Sequence, residues 1–405
     1  MSSQTPPAKR ADGQGSIDDD VLYEILLSLP AKLLCRLRAV CRSWRSLLSA
    51  PSFIAAHTAR QAAPLLLVHV HDASSLDVHV LDISSGHVDK RIHVKTQSST
   101  TQSHNCLMLM RTPHDLPLVC LTCADDELRL RVLDPVTGAD FALPDVDHDK
   151  QHCYSASFMI GKVSTGDYKL LCLSMCTSVS NGQQLCKVLN LSGDRRWRET
   201  GCPPAMVKMG RLDGATVNGV SYLLLKTKHD HRPQVSSECI VAYDLEKEAW
   251  RPASLPVPAP SNKQWPRDMF YHVLAELSGC LALLYDDGRS FMELWLLVDP
   301  DKVTWSKQCT ITVPYPYQGV GYRGEPLWLL DDGRLIIWIW MSPEIPNVLC
   351  TYDPRTMTYT DVTEMPNSTP GGVYTGSLLG GGRFHLLRQG GLVQVERYCS
   401  LLATK

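Results

Sequence analysis

AYDLEKEAW, Ala242–Trp250, joins an apolar strand ending in Asp to a short polar turn and to a second strand that opens on an aromatic residue. The same phrase stands at Val80–Val88 (VLDISSGHV), Val132–Asp140 (VLDPVTGAD), Val188–Trp197 (VLNLSGDRRW), Leu297–Trp305 (LVDPDKVTW) and Thr351–Tyr359 (TYDPRTMTY). Its anchors, Asp82, Asp134, Asn190, Asp244, Asp299 and Asp353, are separated by 52 to 56 residues. Unrelated loops do not keep such a period, so this part of the chain is an internal repeat. Each unit also has an upstream hairpin: GATVNGVSYLLL, Gly214–Leu225, carries at Asn218-Gly219 the residue pair of a type I′ turn. Four strands per unit at this period specify a β-propeller, because a lone four-stranded sheet leaves both faces bare until neighbours cover them. The fold expected is mainly β, with six blades, or seven if the strands left over for closure divide. Five complete units run from about Asn105 to Val362, and the sixth must join strands within 65–94 to strands within 373–397.

Ahead of the repeat the period becomes helical. Val21, Leu22, Ile25, Leu26 and Leu29 fall on one face, Ser16 or Asp18 is placed to cap it, Asp18, Asp19 and Asp20 suit the positive end of the helix dipole, and Pro30 stops it. A second helix is expected to carry Leu34, Leu37, Cys41, Trp44 and Leu48, with Leu33, Val40 and Leu47 widening the apolar stripe. That is more apolar surface than one short helix pair hides. Lys32, Arg36, Arg38, Arg42 and Arg45 occur with no acid between residues 32 and 45, a face that suits an acidic partner or is simply solvated. Residues 1–15 are polar, hold two Pro and two Gly, and read as a disordered tail without a secretory signal. The organisation expected is therefore a tail (1–15), a helical head (16–60) and a ring (61–400).

Composition narrows the function. The chain has 405 residues, 44% of them hydrophobic, and 40 Lys+Arg against 42 Asp+Glu; a net charge of −2 gives no basic excess for a nucleic-acid or anionic-membrane partner. The longest strongly apolar run, Leu335–Met341 (LIIWIWM), falls far short of the roughly 20 residues that span a bilayer. A soluble protein of the cytoplasm, the nucleus or both is expected, in which disulfides, and glycans at Asn190 and Asn367, are disfavoured. The fifteen cysteines then read mostly as small buried residues. Cys120-Leu-Thr-Cys123 is the sole CxxC and has no second pair at zinc-binding spacing; Cys172 with Cys176, and His69 with His71, lack a third ligand nearby in sequence. With no GxSxG, P-loop, GxGxxG or HExxH motif, no catalytic residue, metal or cofactor is expected.

The run IDDDVLYEILLSLPAKLLCRLRAVCRSWRSLLSAPSF, Ile17–Phe53, closely resembles the F-box, the adaptor-binding motif of ubiquitin-ligase substrate receptors, most specifically through Arg38–Arg45. The resemblance implies that Ile17, Leu22, Ile25, Leu26, Leu29, Pro30, Leu33, Leu37, Val40, Cys41 and Trp44 form the face that docks a Skp-type adaptor, itself held by a cullin. The family's opening Leu-Pro pair reads Ile17-Asp18 here, which keeps the apolar contact and loses the proline. The blade phrases, notably YDLEKEAWRPASLP at Tyr243–Pro256, resemble the plant F-box-associated and kelch-like propellers; they depart from true kelch repeats in lacking a Gly-Gly doublet in most blades, and from WD repeats in lacking a Trp-Asp pair. Head and ring together imply a non-catalytic substrate-recognition subunit of an SCF-type (Skp–cullin–F-box) ubiquitin ligase with an unknown protein target. The alternative is a propeller enzyme or carbohydrate-binding module with an incidental helical head, its site gathered at the central channel from distant blades.

In such a blade, the turns joining strands one to two and three to four emerge on one face and the remaining connections on the other. Turns of the first kind are short, as at Asn218-Gly219, Leu245–Glu248 and Asp331–Gly333. Connections of the second kind are long: Cys176–Gln184, Lys226–Glu238, Pro256–Asp268, Val313–Glu325 and Met341–Asn347. Long loops on a rigid scaffold carry recognition, and Tyr, Trp and Arg dominate interface hot spots. The target is thus expected on the second face, at His229, Arg232, Trp265, Arg267, Tyr315, Tyr317, Tyr322 and Arg323.

Overall fold

The computed structural model describes residues 19–374, apart from residues 30, 61–63, 73–74, 94–105, 112–117, 125–126, 134–139, 147–152, 177–183, 192–193, 227–238, 262–270, 289, 314–321 and 342–343. Met1–Ala62 belongs to one compact unit and Ala63–Gly376 to another. The tail, Ser16, Ile17, Asp18 and Pro30 lie outside the described residues.

Among the described residues the head has four helices: α1 (Asp19–Leu27), α2 (Ala31–Leu37), α3 (Arg42–Ser49) and α4 (Pro51–Arg60). The single long second helix expected from periodicity is therefore two. The chain turns after Leu37, Cys41 takes an extended backbone with φ −153°, and its Sγ accepts from the Trp44 N–H at 3.5 Å, a cap that restarts the helix. Arg38 Nη2 donates to the Leu48 carbonyl at 2.6 Å and Arg45 Nε donates to the Arg38 carbonyl at 3.3 Å. Two of the five basic residues thus serve the head's own carbonyls, while Arg36 and Arg42 are exposed. Leu26, Leu27, Leu34, Leu48 and Phe53 form the core, with Tyr23 edge-on to Phe53 at 5.2 Å.

The strands form six antiparallel sheets among the described residues. Blade I holds β1 (Leu65–Asp72), β2 (Ser75–Asp82), β3 (Val88–His93) and, as its first strand, β25 (Ser368–Tyr374). Blade II holds β4 (Cys106–Leu109), β5 (Leu118–Ala124), β6 (Glu127–Leu133) and β7 (Asp140–Ala142); blade III holds β8 (Cys153–Lys162), β9 (Tyr168–Cys176), β10 (Gln184–Asn190) and β11 (Arg198–Thr200). Blade IV holds β12 (Gly214–Val217), β13 (Val220–Leu224), β14 (Cys239–Asp244) and an outer strand broken into β15 (Ala249–Trp250) and β16 (Leu255–Pro256). Blade V holds β17 (Tyr271–Leu277), β18 (Cys280–Asp286), β19 (Phe291–Asp299) and β20 (Thr304–Thr312). Blade VI holds β21 (Arg323–Leu329), β22 (Leu335–Trp340), β23 (Asn347–Asp353) and β24 (Thr358–Met365).

The first strands lie against one another around the ring: β8 on β12, β12 on β17, β17 on β21, β21 on β25 and β25 on β4. Blades II and III share an apolar core of Leu130, Val132, Ile160 and Leu170. Gly161 makes room for blade III to pack on blade IV, and Gly324 for blade VI to pack on blade V. A Cβ at Gly161 would sit 2.5 Å from Leu245 and Thr216 of the next blade, and one at Gly324 would overlap Met292 of blade V. Closure joins the two ends of the repeat as expected, but with an earlier strand: β25 pairs with β1 at Leu66↔Val373 and His69↔Thr369. A two-residue turn with Asn367 at φ +45° leads from β24 of blade VI into β25 of blade I, so the strand starts at Ser368. Residues 375–397 lie outside the described residues.

Two details explain the repeated phrase. The anchor carboxylate holds its own turn: Asp82 Oδ1 accepts from the amides of Ser84 and Ser85 at 2.9 and 2.8 Å, Asp244 Oδ1 from Glu246 and Lys247, and Asp299 Oδ1 from Asp301 and Lys302. The aromatic that follows joins its blade to the one before. The indole N–H of Trp197 reaches the Pro144 carbonyl at 3.0 Å, that of Trp250 the Gly201 carbonyl at 2.7 Å, and that of Trp305 the Pro256 carbonyl at 3.1 Å.

Candidate functional site

Three places in the molecule carry side chains that packing alone does not explain. The first is the ring axis. Arg111 follows β4, Arg211 precedes β12, and Glu325 lies on β21. Glu325 is fully buried, and Arg111 and Arg211 are 20% and 15% exposed. Its Oε1 accepts from Arg111 Nε at 3.0 Å and lies 2.9 Å from Nη2, while Oε2 accepts from Arg211 Nη1 at 2.6 Å and from the Trp340 indole at 3.0 Å. Arg111 also donates to the Leu274 carbonyl of β17, and Arg211 to the Pro370 carbonyl of β25, with its guanidinium 5.6 Å above the Trp340 ring. One carboxylate and two guanidiniums thus tie five blades together. Burial pushes the Glu325 carboxyl up, and the two arginines overcome that push to hold it below the usual carboxylate range. A cavity of about 660 Å³ adjoins this cluster, lined by Arg111 and by the C-terminal ends of the first strands, among them Lys162, Thr216, Glu276 and Leu327. Arg111, Arg211 and Glu325 are far apart in sequence and belong to no motif, so nothing in the chain marks them beforehand.

The second place is the opposite mouth, at the N-terminal ends of the first strands. Arg323 is exposed there and its guanidinium stands 4.1 Å above the ring of exposed Tyr271. Tyr271 was not among the residues expected from sequence, although it borders the Pro256–Asp268 connection that was. Tyr322 corrects an expectation: it is buried in the core between blades V and VI, with its hydroxyl donating to Asp287 Oδ1 at 3.4 Å, so it is a packing residue and no surface contact. His229, Arg232, Trp265, Arg267, Tyr315 and Tyr317 lie outside the described residues. The long connections are also less general than expected, since β1–β2 and β5–β6 are joined across residues 73–74 and 125–126. Beneath the mouth, buried Asp286 accepts from the Gly324 amide at 2.7 Å and the Gly288 amide at 2.8 Å, and burial pushes its carboxyl up to about 7.

The third place is the head. Ile25, Leu33, Val40 and Cys41 are exposed, Val40 to 62%, and Leu22, Leu29, Leu37 and Trp44 are half-buried. Leu26 is a correction: it is 1% exposed in the head's own core, because its position on α1 faces Phe53 and Leu34. Val21 is exposed beside Ile25, one helical turn away, and joins the uncovered apolar set.

Among the described residues no group of three or more His, Cys, Asp or Glu is placed to hold a metal ion. Among the described residues, Cys186 is a buried free thiol. No described helix is long and apolar enough to cross a membrane. The side chains of Cys120, Cys123, Cys176 and His71 lie outside the described set.

The F-box domain matches residues 16–55 and the F-box associated beta propeller domain residues 65–367. The F-box protein At3g07870 of Arabidopsis thaliana is 25% identical over 407 residues, which cover 90% of this chain and 92% of that protein. The F-box/kelch-repeat protein At3g04660 of the same plant is 24% identical over 375 residues, covering 88% and 90%. Among solved structures, TolB from Acinetobacter baumannii aligns with a TM-score of 0.46 at 9% identity, over 78% of this chain and 66% of that one.

Proposed function

The chain belongs to the F-box proteins that carry an F-box-associated β-propeller, and on that premise we propose that it is the substrate-recognition subunit of an SCF-type ubiquitin ligase. The observation that carries this reading is the uncovered apolar set on the head: Val21, Ile25, Leu33 and Val40 stand in water within a unit whose own core is complete without them. Docking a Skp-type adaptor, and through it a cullin, covers that surface at a gain of about 25 cal/mol per Å² of apolar area. The ring then holds a protein target, with the Arg323–Tyr271 pair as a preformed anchor on the face of the long connections. The chain supplies no catalytic residue; its contribution to ubiquitin transfer is proximity. Residence in the cytoplasm, the nucleus or both is part of the same proposal.

Co-purification with a Skp-type adaptor tests it. The wild-type chain is expected to retain the adaptor, and Ile25→Asp or Val40→Asp to lose it without changing the thermal unfolding of the head or ring. A wild-type chain that retains no such adaptor overturns the reading.

A further inference from the structure

We propose that the axial cavity is a binding site for a small molecule bearing an oxyanion group, a phosphate or a carboxylate, which Arg111 holds. The argument begins with charge. Two guanidiniums meet one carboxylate at the axis, and Glu325 is already saturated: both of its oxygens carry arginine donors and Oε2 also takes the Trp340 indole. The remaining acceptors of Arg111 and Arg211 are the neutral carbonyls of Leu274, Pro370 and Gly371. Among the described residues one positive charge of this cluster is therefore left without a carboxylate, and Arg111, 20% exposed, presents it to the cavity. A purely structural cross-link would be complete with a single arginine.

Geometry decides where the surplus is directed. Hydrogen bonds to Glu325 and Leu274 occupy two of the five N–H groups of Arg111, on Nε and Nη1, and Nη2, although 2.9 Å from Glu325 Oε1, is buried without a hydrogen-bond partner among the described residues. Arg111 lines the 660 Å³ cavity and a smaller one of about 80 Å³, whereas Arg211 lines only the smaller. Among the acids that line the large cavity, Glu276 and Asp244 hold their own turns and Glu246 reaches across to blade III, while Lys162 and Arg251 line it as well. Glu276 accepts from the Gly279 amide at 2.7 Å, Asp244 from Glu246 and Lys247 with Arg251 at 3.6 Å, and Glu246 from the Ser164 hydroxyl. Ile160, Val220 and Leu327 give the cavity an apolar part of its lining, and Gly161 and Gly371 also line it. The volume is that of a small-molecule pocket and exceeds what a lone phosphate ion needs, so an organic anion with an apolar body is the occupant that fits. This inference does not rest on the ligase reading.

The test uses the full-length chain at constant ionic strength, titrated with inorganic phosphate in one arm and citrate in the other, with chloride as reference. The expected result is a saturable, single-site rise in the unfolding midpoint of the ring with at least one of the two, and the arm that saturates identifies the phosphate or carboxylate chemistry. Arg111→Gln removes the surplus charge while leaving Glu325 paired with Arg211, and is expected to weaken binding at least tenfold; Arg111→Lys keeps the charge and is expected to remain within tenfold of wild type. Should Arg111→Gln fail to fold, modification of wild-type Arg111 by phenylglyoxal decides, with slower reaction in the presence of the anion supporting the site. The proposal is overturned if neither anion saturates on the wild-type chain, if Arg111→Gln binds as tightly, or if the anion leaves the modification rate unchanged.

Discussion

In the head, Val21, Ile25, Leu33 and Val40 stand in water around a core of five buried residues. In the ring, Glu325, Glu293 and Asp286 stand inside, each answered by donors: two arginines and an indole for Glu325, Lys307 and the Ser261 amide for Glu293, two backbone amides for Asp286. The contrast separates two kinds of apparent misplacement. An apolar residue in water lacks nothing inside its own unit and gains only when a second surface arrives. A charge inside is tolerable only because its partners are already present. The head is therefore built toward something outside itself, and most of the ring's buried charge is accounted for within it.

Removing one side of each arrangement tests this difference most severely. Glu325→Ala leaves two guanidiniums without their carboxylate and is expected to destabilise the ring by about 3–5 kcal/mol. The same truncation at exposed Ile25 is expected to change head stability by no more than about 0.5 kcal/mol. Calorimetry on each variant reads both transitions, and similar effects at the two sites would break the comparison.

The buried carboxylates of the ring also differ from one another in pH dependence. Asp286 has its carboxyl raised to about 7 by burial, so between the ordinary aspartate value and that point the native state binds a proton that the unfolded chain does not. Its contribution to stability is full below about pH 4 and is lost as pH rises through 7. Glu325, held low by its arginines, contributes in the opposite sense: its stabilisation is present above the unfolded glutamate value and disappears as pH falls through its lower native one. Asp286→Asn is expected to flatten the loss of ring stability between pH 4 and 8, measured by thermal unfolding at each pH; an unchanged profile would remove Asp286 from the account.

Within the head, a core residue and its neighbour on the same helix sharpen the contrast further. Leu26→Ala is expected to cost about 2–5 kcal/mol of head stability because it empties a filled position against Leu34 and Phe53. Adaptor recovery with this variant should follow the folded fraction. With Ile25→Asp recovery should fall while the head stays folded, and a Leu26→Ala head that remains stable would show that Leu26 does not support the core.

How far the sequence carried depends on whether the interaction is local. The period of the phrase was visible because anchors such as Asp82, Asp244 and Asp299 act on amides two and three residues away, which keeps Asp, or in one copy Asn190, at that position. The Trp that ends three of the six phrases was visible as a residue, but its role as a tie reaches 49 to 53 residues back to the previous blade and appears only in three dimensions. The break at Cys41 was hidden because apolar spacing runs through it undisturbed, and only the extended backbone and the Arg38 to Leu48 bond interrupt the helix. Leu26 and Ile25 are adjacent and equally apolar, so periodicity could not say which faces inward. The axial cluster was beyond reach, since its members meet only when six sheets close on each other.

The tie between blades gives a smaller effect. Trp250→Phe keeps the ring and the edge-on contact with Tyr243 at 5.1 Å but removes the 2.7 Å bond to Gly201. Because the Gly201 residue is exposed and water can replace the donor, the expected loss is about 1 kcal/mol, confined to the ring transition. A shift in the head transition instead would contradict the assignment of this contact to the ring.

The smallest effect has the opposite sign and comes from the fourth residue after the anchor. That residue takes the left-handed conformation in blade after blade: Gly86 at φ +68°, Glu248 at +52°, Val303 at +55° and Met357 at +55°. Only in blade I is a described residue of this set a glycine, for which the conformation is free of steric cost. Met357 is 70% exposed, so replacing it removes little packing. Met357→Gly relieves about 1–2 kcal/mol of left-handed strain and loses part of that gain to the greater freedom of glycine in the unfolded chain, for a net gain of about 0.5–1 kcal/mol in the ring. Gly86→Ala is the counterpart, expected to destabilise, because it adds the strain and brings a Cβ within 2.8 Å of Thr363 in blade VI. If both variants move the ring transition in the same direction, the repeated turn is not governed by the conformation of this residue.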